Sequence, residues 1–173
     1  YKTNFYMKKL LIIGHARHGK DTAAEILNQH FGLTFKSSSE CAAENFLFDI
    51  MNTKYGKSYK SIGECFADRM NNRKAWYDEI CLYNSVDKIR LAKEVLSKAD
   101  MYVGMRSHAE IEECKKQKLF DLIIWIDASE RLPLESSDSF DITKEDADII
   151  ITNNTTLTEF TNKLIKIFKS YGL

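Results

Sequence analysis

Proline is almost missing from this 173-residue sequence, with Pro133 standing alone, and glycine is sparse at 7. That scarcity argues against long flexible linkers and low-complexity tracts. No sign of charge dominates, because Lys plus Arg and Asp plus Glu each total 25. The chain as a whole therefore has no field to draw in nucleic acid or a membrane surface, which leaves room only for a local basic patch. No C-x-x-C pair occurs: Cys41, Cys65, Cys81 and Cys114 stand far apart, and His15, His18, His30 and His108 supply no zinc-ligand spacing. These thiols read as free and mostly buried, as in a reducing cytoplasm. No apolar run reaches the length of a membrane span, and no signal-peptide pattern is present, so no membrane partner is expected.

What remains is ordinary globular composition, 44% hydrophobic and 29% charged. Met7, followed by Lys8-Lys9 and an apolar run, reads as a natural start. Residues 1–6 are then an N-terminal extension, and residues 7–173 a single domain. Short apolar runs alternate with longer amphipathic stretches, the pattern of an α/β protein with a parallel sheet. Five strands are predicted, at Lys9–Ile13, Leu33–Phe35, Met101–Val103, Leu122–Ile126 and Ile149–Ile151. A helix from about Thr22 to His30 follows the first. Between the second and third, a helical insertion runs from Cys41 to about Ser97, broken near Gly56 and Gly63. Helices at Ser107–Gln117 and Leu157–Tyr171 complete the alternation, with a polar loop at Ser129–Asp141.

The chemistry concentrates after the first strand. Gly14-His15-Ala16-Arg17-His18-Gly19-Lys20 matches G-x-x-x-x-G-K between a strand and a helix, which is the context that the motif needs. Its main-chain N–H groups can wrap phosphate oxygens, aided by the helix N-terminus, while Lys20 reaches the β- and γ-phosphates. The usual Ser or Thr after the lysine is replaced by Asp21, with Thr22 next. Either Thr22 takes Mg²⁺, or Asp21 holds it through water. Asp21 can equally accept a proton from an attacking hydroxyl, or cap the helix. Lys20 and Arg17 would offset its charge beside phosphate.

A second polar group follows the third predicted strand. Arg106 is placed to clamp a second anionic substrate, with Glu110 four residues on as its orienting partner; a helix-surface ion pair is the plain alternative. Arg131 opens the polar loop, in which Glu135, Ser136, Ser137 and Ser139 can close over a γ-phosphate. Asp127 is a weak substitute for the metal-organising acid that the third strand lacks. Asn153 and Asn154 read either as adenine-facing amides or as helix caps. Ser37, Ser38 and Ser39 would face an acceptor, as would Arg69, Arg73 and Trp76, although an aromatic at helical spacing leans toward core.

With GHARHGKDT, the serine triplet, RKAWYDEI, YVGMRSHAE, LFDLIIWIDASER and DADIIITNN in place, the chain resembles the phage deoxynucleoside monophosphate kinases among P-loop kinases. It is similar as well to phage kinases that phosphorylate 5-hydroxymethyluracil within DNA. The resemblance implies a three-layer P-loop NTPase fold with a five-stranded parallel sheet in the order 2-3-1-4-5. It also implies Mg-ATP as donor and a nucleotide acceptor, either a deoxynucleoside monophosphate or a modified base in DNA. Gly14 to Thr22 and Asn153 would then bind ATP, while Lys20, Asp21, Arg106 and Arg131 would serve catalysis. Gly104 departs from the pattern, standing where an acid often precedes the arginine by two positions. A non-catalytic nucleotide-binding regulator is the reading from another class. A homodimer is left open, and the compartment implied is the cytoplasm, that of the host if a phage encodes the chain.

Overall fold

The computed structural model describes residues 9–135 and 140–173, so residues 1–6, expected to be an extension, and Ser136, Ser137 and Ser139 lie outside the described residues. Strand β1, Leu10–Ile13, is buried along its whole length because it lies between two other strands and under helices on both faces. A strand covered on both sides has no polar face, hence the unbroken LLII. It pairs in parallel with β2 (Met101–Val103) and β3 (Leu122–Asp127), and β3 pairs in parallel with β4 (Ile149–Thr152). The sheet order is β2-β1-β3-β4.

Alternate side chains on these strands point to opposite faces. Leu10, Ile12, Ile124 and Ile126 pack under helices α1 (Lys20–Phe31) and α8 (Leu157–Ser170), against Leu27, Phe160, Leu164 and Phe168. Leu11, Ile13, Ile123 and Trp125 face the other way, into the helical insertion. The three layers follow from that alternation.

The sheet has four strands where five are expected. The second predicted strand, Leu33–Phe35, is reduced to a single parallel bridge between Phe35 and Met101. It lies on the expected edge, but residues 33–36 must span from the C-cap of α1, Gly32, to Ser37, which caps the next helix. The Thr34 N–H, which a strand would use in a ladder, instead donates to the Asp100 carboxylate at 2.9 Å.

The insertion begins as α2 (Ser38–Ala42), passes through a π-turn at Ala43–Leu47 and continues as α3 (Phe48–Thr53). Helix α4 (Ile62–Ala67), a 3₁₀ turn at Arg69–Asn72, α5 (Arg73–Tyr83) and α6 (Arg90–Lys98) follow. The break near Gly56 is present, but Gly63 lies inside α4 and breaks nothing. Ser61 starts that helix by accepting the Glu64 N–H, and Asn52 closes the preceding loop by bonding both the N–H and the C=O of Tyr59. Helix α7, His108–Lys116, follows β2. Cys41, Cys65 and Cys114 are buried free thiols and Cys81 is an exposed one. Among the described residues, no helix is long and apolar enough to cross a membrane.

Candidate active site

Residues 14–19 join the end of β1 to the start of α1 by a backbone path that side chains disfavour. Gly14 has φ +147°, Arg17 φ +67° and Gly19 φ +104°. A Cβ on Gly14 would stand 2.5 Å from the Ile126 carbonyl oxygen on β3, and one on Gly19 would stand 2.4 Å from the Asn153 amide nitrogen. The loop therefore lies directly on the carboxyl ends of β3 and β4. Successive turns of this kind direct main-chain N–H groups into a common hollow.

Two side chains brace the bend. His18 is 0% exposed. Its Nδ1 accepts the Ala128 N–H at 3.0 Å, and its Nε2 lies 3.1 Å from the Pro133 carbonyl oxygen. Nδ1 therefore carries no proton, and Nε2–H is the donor to Pro133. Asn153 donates from its amide to the His18 carbonyl at 3.0 Å and is itself buried. That bond spends the amide on the loop and not on capping a helix. Thr156 caps α8.

The hollow holds an anion from the chain itself. The Ala16 N–H donates to Glu135 Oε2 at 2.9 Å, and the other carboxylate oxygen pairs with the Arg106 guanidinium. The Glu135 N–H in turn donates to His15 Nδ1 at 3.0 Å. Burial opposes the charge on Glu135, but the bonds to Arg106 and Ala16 and the nearby Lys20 outweigh it, and its carboxyl is held below the usual glutamate range. Lys20 folds back to donate to the His15 carbonyl at 2.8 Å. Burial lowers the Lys20 pKa, with Glu135 and Asp21 pulling the other way. The His15 pKa is lowered too, by burial first and then by His18. His15 packs on Phe140 and edge-on to Trp125, at ring distances of 4.8 and 5.4 Å.

These residues fit a polyphosphate: an inward amide and a guanidinium already meet on carboxylate oxygens, and the Lys20 ammonium group lies near enough to act on their charge. They also offer hard oxygen donors for Mg²⁺, since Asp21 is exposed and Thr22 half-buried in the first turn of α1, beside Lys20. Asp127, at the end of β3, spends one carboxylate oxygen on the Ser129 N–H at 2.8 Å, and bonding to Ser129 holds its pKa down.

The other residues singled out from sequence are distributed as follows. Arg106 is gripped by Glu135, which reaches it from 29 residues away, and lies 5.5 Å over the Phe140 ring. Glu110 is not the partner that the spacing suggested. Its carboxyl is half-buried in the field of Asp141, and burial pushes its pKa up to about 7. Arg131 is exposed and donates to the Asn153 carbonyl at 2.7 Å. Ser37 caps α2, and Ser38 bonds to the buried Tyr102, while Ser39 lies in the first turn of α2. Arg69 turns back to stack 3.9 Å over Phe66, and Arg73 reaches the Met70 sulfur. Trp76 is 5% exposed and belongs to the insertion core. His108, Glu112 and Asp146 do come within metal-ligand reach of one another, but His108 Nδ1 is bonded to Asp146 at 2.7 Å and Asp146 caps the turn at Thr143.

Glu135 is the functional candidate that sequence reasoning placed only in a polar loop. Its partner Ala16 is 119 residues away, and no local pattern announces such a contact.

No protein-family model matches the sequence, and no curated protein matches it. Solved structures do match in shape. Dephospho-CoA kinase from Campylobacter jejuni aligns over 94% of this chain and 96% of its own, at 16% identity and a TM-score of 0.51. Shikimate kinase from Aquifex aeolicus aligns over 95% and 98%, at 14% identity and a TM-score of 0.50. The chain thus shares with these two proteins an α/β fold with a parallel sheet.

Proposed function

We propose that this chain is a phosphotransferase that moves the γ-phosphoryl group of Mg-ATP to a nucleotide acceptor, a deoxynucleoside monophosphate. One observation carries the reading. A loop amide at the β1–α1 bend and an arginine from the end of β2 meet on a single carboxylate, with Lys20 alongside. Donor and acceptor phosphates need that convergence if one is to pass a phosphoryl group to the other.

In this reading the residue 14–19 amides and Lys20 bind the β- and γ-phosphates, and Arg106 moves from Glu135 to the transferring group or the acceptor phosphate. Arg131, exposed beside β4, adds a second cation. Thr22, or Asp21 through water, would hold Mg²⁺, which would neutralise phosphate charge when bound. A phosphate acceptor brings no proton that must be removed, so Asp21 would act as a base only toward an alcohol acceptor. Little covalent work is asked of the protein, and most of the rate comes from placement and from preorganised charge. The likeness of the sequence motifs to phage deoxynucleoside monophosphate kinases supports the acceptor class.

The test is incubation with ATP labelled at the γ-phosphate and a panel of deoxynucleoside monophosphates, with hydroxymethylated duplex DNA as a further arm. Label should pass to at least one monophosphate, and Lys20→Ala should abolish the transfer. Label entering only the duplex would move the acceptor to DNA. ATP binding with no labelled acceptor in any arm would favour a regulator.

A further inference from the structure

The phosphate hollow is filled by the protein's own acid. Glu135 presents two oxygens of the same charge sign as a phosphate edge, and both are taken: Oε2 by the Ala16 N–H at 2.9 Å, Oε1 by Arg106. The side chain is 17% exposed, against 49% for Arg106. Its backbone is tied down as well, through the Glu135 N–H to His15, and two residues earlier the Pro133 carbonyl accepts from His18. Residues 128–135 therefore lie across the loop as a strap, pinned to it at His15, Ala16 and His18. Ala128 holds one end and Glu135 the other.

A carboxylate in that position and a bound polyphosphate exclude each other. Ala16 has one N–H to give, and two anions sharing one hollow would repel strongly in so sheltered a place. We infer that Glu135 is an internal competitor for the anion cradle, occupying it in the resting protein and displaced when a polyphosphate enters. This rests on the phosphate-site reading given above and adds a consequence to it. The same displacement breaks the Arg106–Glu135 pair, so donor entry changes what holds the arginine that an acceptor phosphate requires. The strap thus couples donor binding to the Arg106–Glu135 pair and keeps a strong anion site closed to adventitious anions in the meantime.

The linkage has a measurable size. When a site is open for only a fraction of the time, its apparent affinity falls by that fraction. A charge-assisted contact that keeps the cradle filled about nine-tenths of the time lowers affinity roughly tenfold.

The experiment is titration calorimetry at fixed low salt on wild type, Glu135→Gln, Glu135→Ala and Glu130→Gln, with metal-free inorganic tripolyphosphate and separately with Mg-ATP. Glu130 lies in the same strap, is exposed and contributes the same charge, but its side chain is no part of the cradle. Both Glu135 variants should bind both probes roughly tenfold tighter than wild type, with Glu130→Gln unchanged. Thermal unfolding of each variant establishes that it is folded. Equal or weaker tripolyphosphate binding by Glu135→Gln and Glu135→Ala overturns the inference while leaving the phosphate site intact. An equal gain in Glu130→Gln overturns it too, because the effect would then be bulk charge. If tripolyphosphate binds tighter but Mg-ATP weaker, Glu135 serves the metal and competition is not its role. Failure of wild type and all variants to bind either probe removes the phosphate site itself, and the inference with it.

Discussion

The ring of His18 and the main-chain N–H of Ala128 share a 3.0 Å hydrogen bond that runs from the first residue beyond β3 into the loop between β1 and α1. It fixes the ring as the Nε2–H tautomer and lets the same imidazole hold the Pro133 carbonyl. One buried side chain thus sets the distance between the cradle and the strap across it. Replacing it with alanine removes both bonds and leaves the Ala128 N–H without its acceptor in a buried place. His18→Ala should lower the unfolding free energy by about 2–3 kcal/mol. Urea unfolding checks this, and a loss within about 0.5 kcal/mol, the range of an ordinary surface change, would mean that the brace carries no weight.

Gly14 and Gly19 face different obstacles, so their alanine variants should behave differently. At Gly14 the added Cβ meets a strand carbonyl, Ile126 O, which cannot move without disturbing β3. At Gly19 it meets the Asn153 side-chain amide. Gly14→Ala should cost about 3 kcal/mol or more through overlap and strained φ together. In Gly19→Ala, trimming Asn153 to alanine should relieve the overlap and leave only the strain of a non-glycine residue at φ +104°, about 1–2 kcal/mol. A double-mutant cycle in denaturant is the measurement. Strict additivity of Gly19→Ala and Asn153→Ala would contradict the close approach.

Much of this architecture is written locally. KLLII, MYV and LIIWI are short apolar runs bounded by polar residues, and each became a strand of the sheet, since a doubly covered strand needs no alternation. The GHARHGKD segment is legible for the same reason: its glycines, strand and helix all lie within a few residues of one another. Where the sequence misleads, long-range contacts decide. Nothing in LTF says that Asp100, 66 residues on, will take the Thr34 N–H and shorten a strand to one bridge. Gly63 looks like a helix breaker, but Ser61 and Glu64 start a helix around it. Arg106 and Glu110 have the spacing of a helical pair, yet Arg106 stands before α7, outside the helix that would align them, and Glu135 claims it. Asn153 shows the same limit, because its role depends on where the His18 carbonyl falls.

Glu110 provides a pH signature. An acid in the first turn of a helix ordinarily gains from the helix N-terminus, but here burial, with Asp141 adding to it, lifts the pKa to about 7 from an ordinary 4.5. The folded state therefore holds a proton that the unfolded chain has released between about pH 4.5 and 7. Stability from this group falls as pH rises through that window, and the cost is complete above pH 7. Glu110→Gln removes the charge without changing the shape. It should raise stability at pH 8 by about 1–2 kcal/mol, allowing for partial solvent exposure, and the gain should vanish near pH 4. Thermal melts of both proteins across that range test the sign. A gain that grows toward acid pH would show that the carboxyl is charged in the fold.

Trp76 offers a test that separates core from acceptor site. Its indole is 5% exposed and packed in the insertion core, and its Nε1–H has no hydrogen-bond partner among the described residues. A buried donor left unpaired costs on the order of 1–3 kcal/mol, which usually makes tryptophan a poor choice unless its ring fills space that nothing else fills. Phenylalanine gives up part of that packing but carries no N–H, so the two effects oppose each other. Trp76→Phe should therefore change stability by less than about 1 kcal/mol, where a well-bonded buried tryptophan would lose more. If Trp76 only packs, acceptor KM in the transfer assay should not change, because Phe keeps the helix in place. A raised acceptor KM with unchanged stability would instead put the indole against a nucleobase, as the neighbouring Arg73 and Arg69 first suggested from sequence.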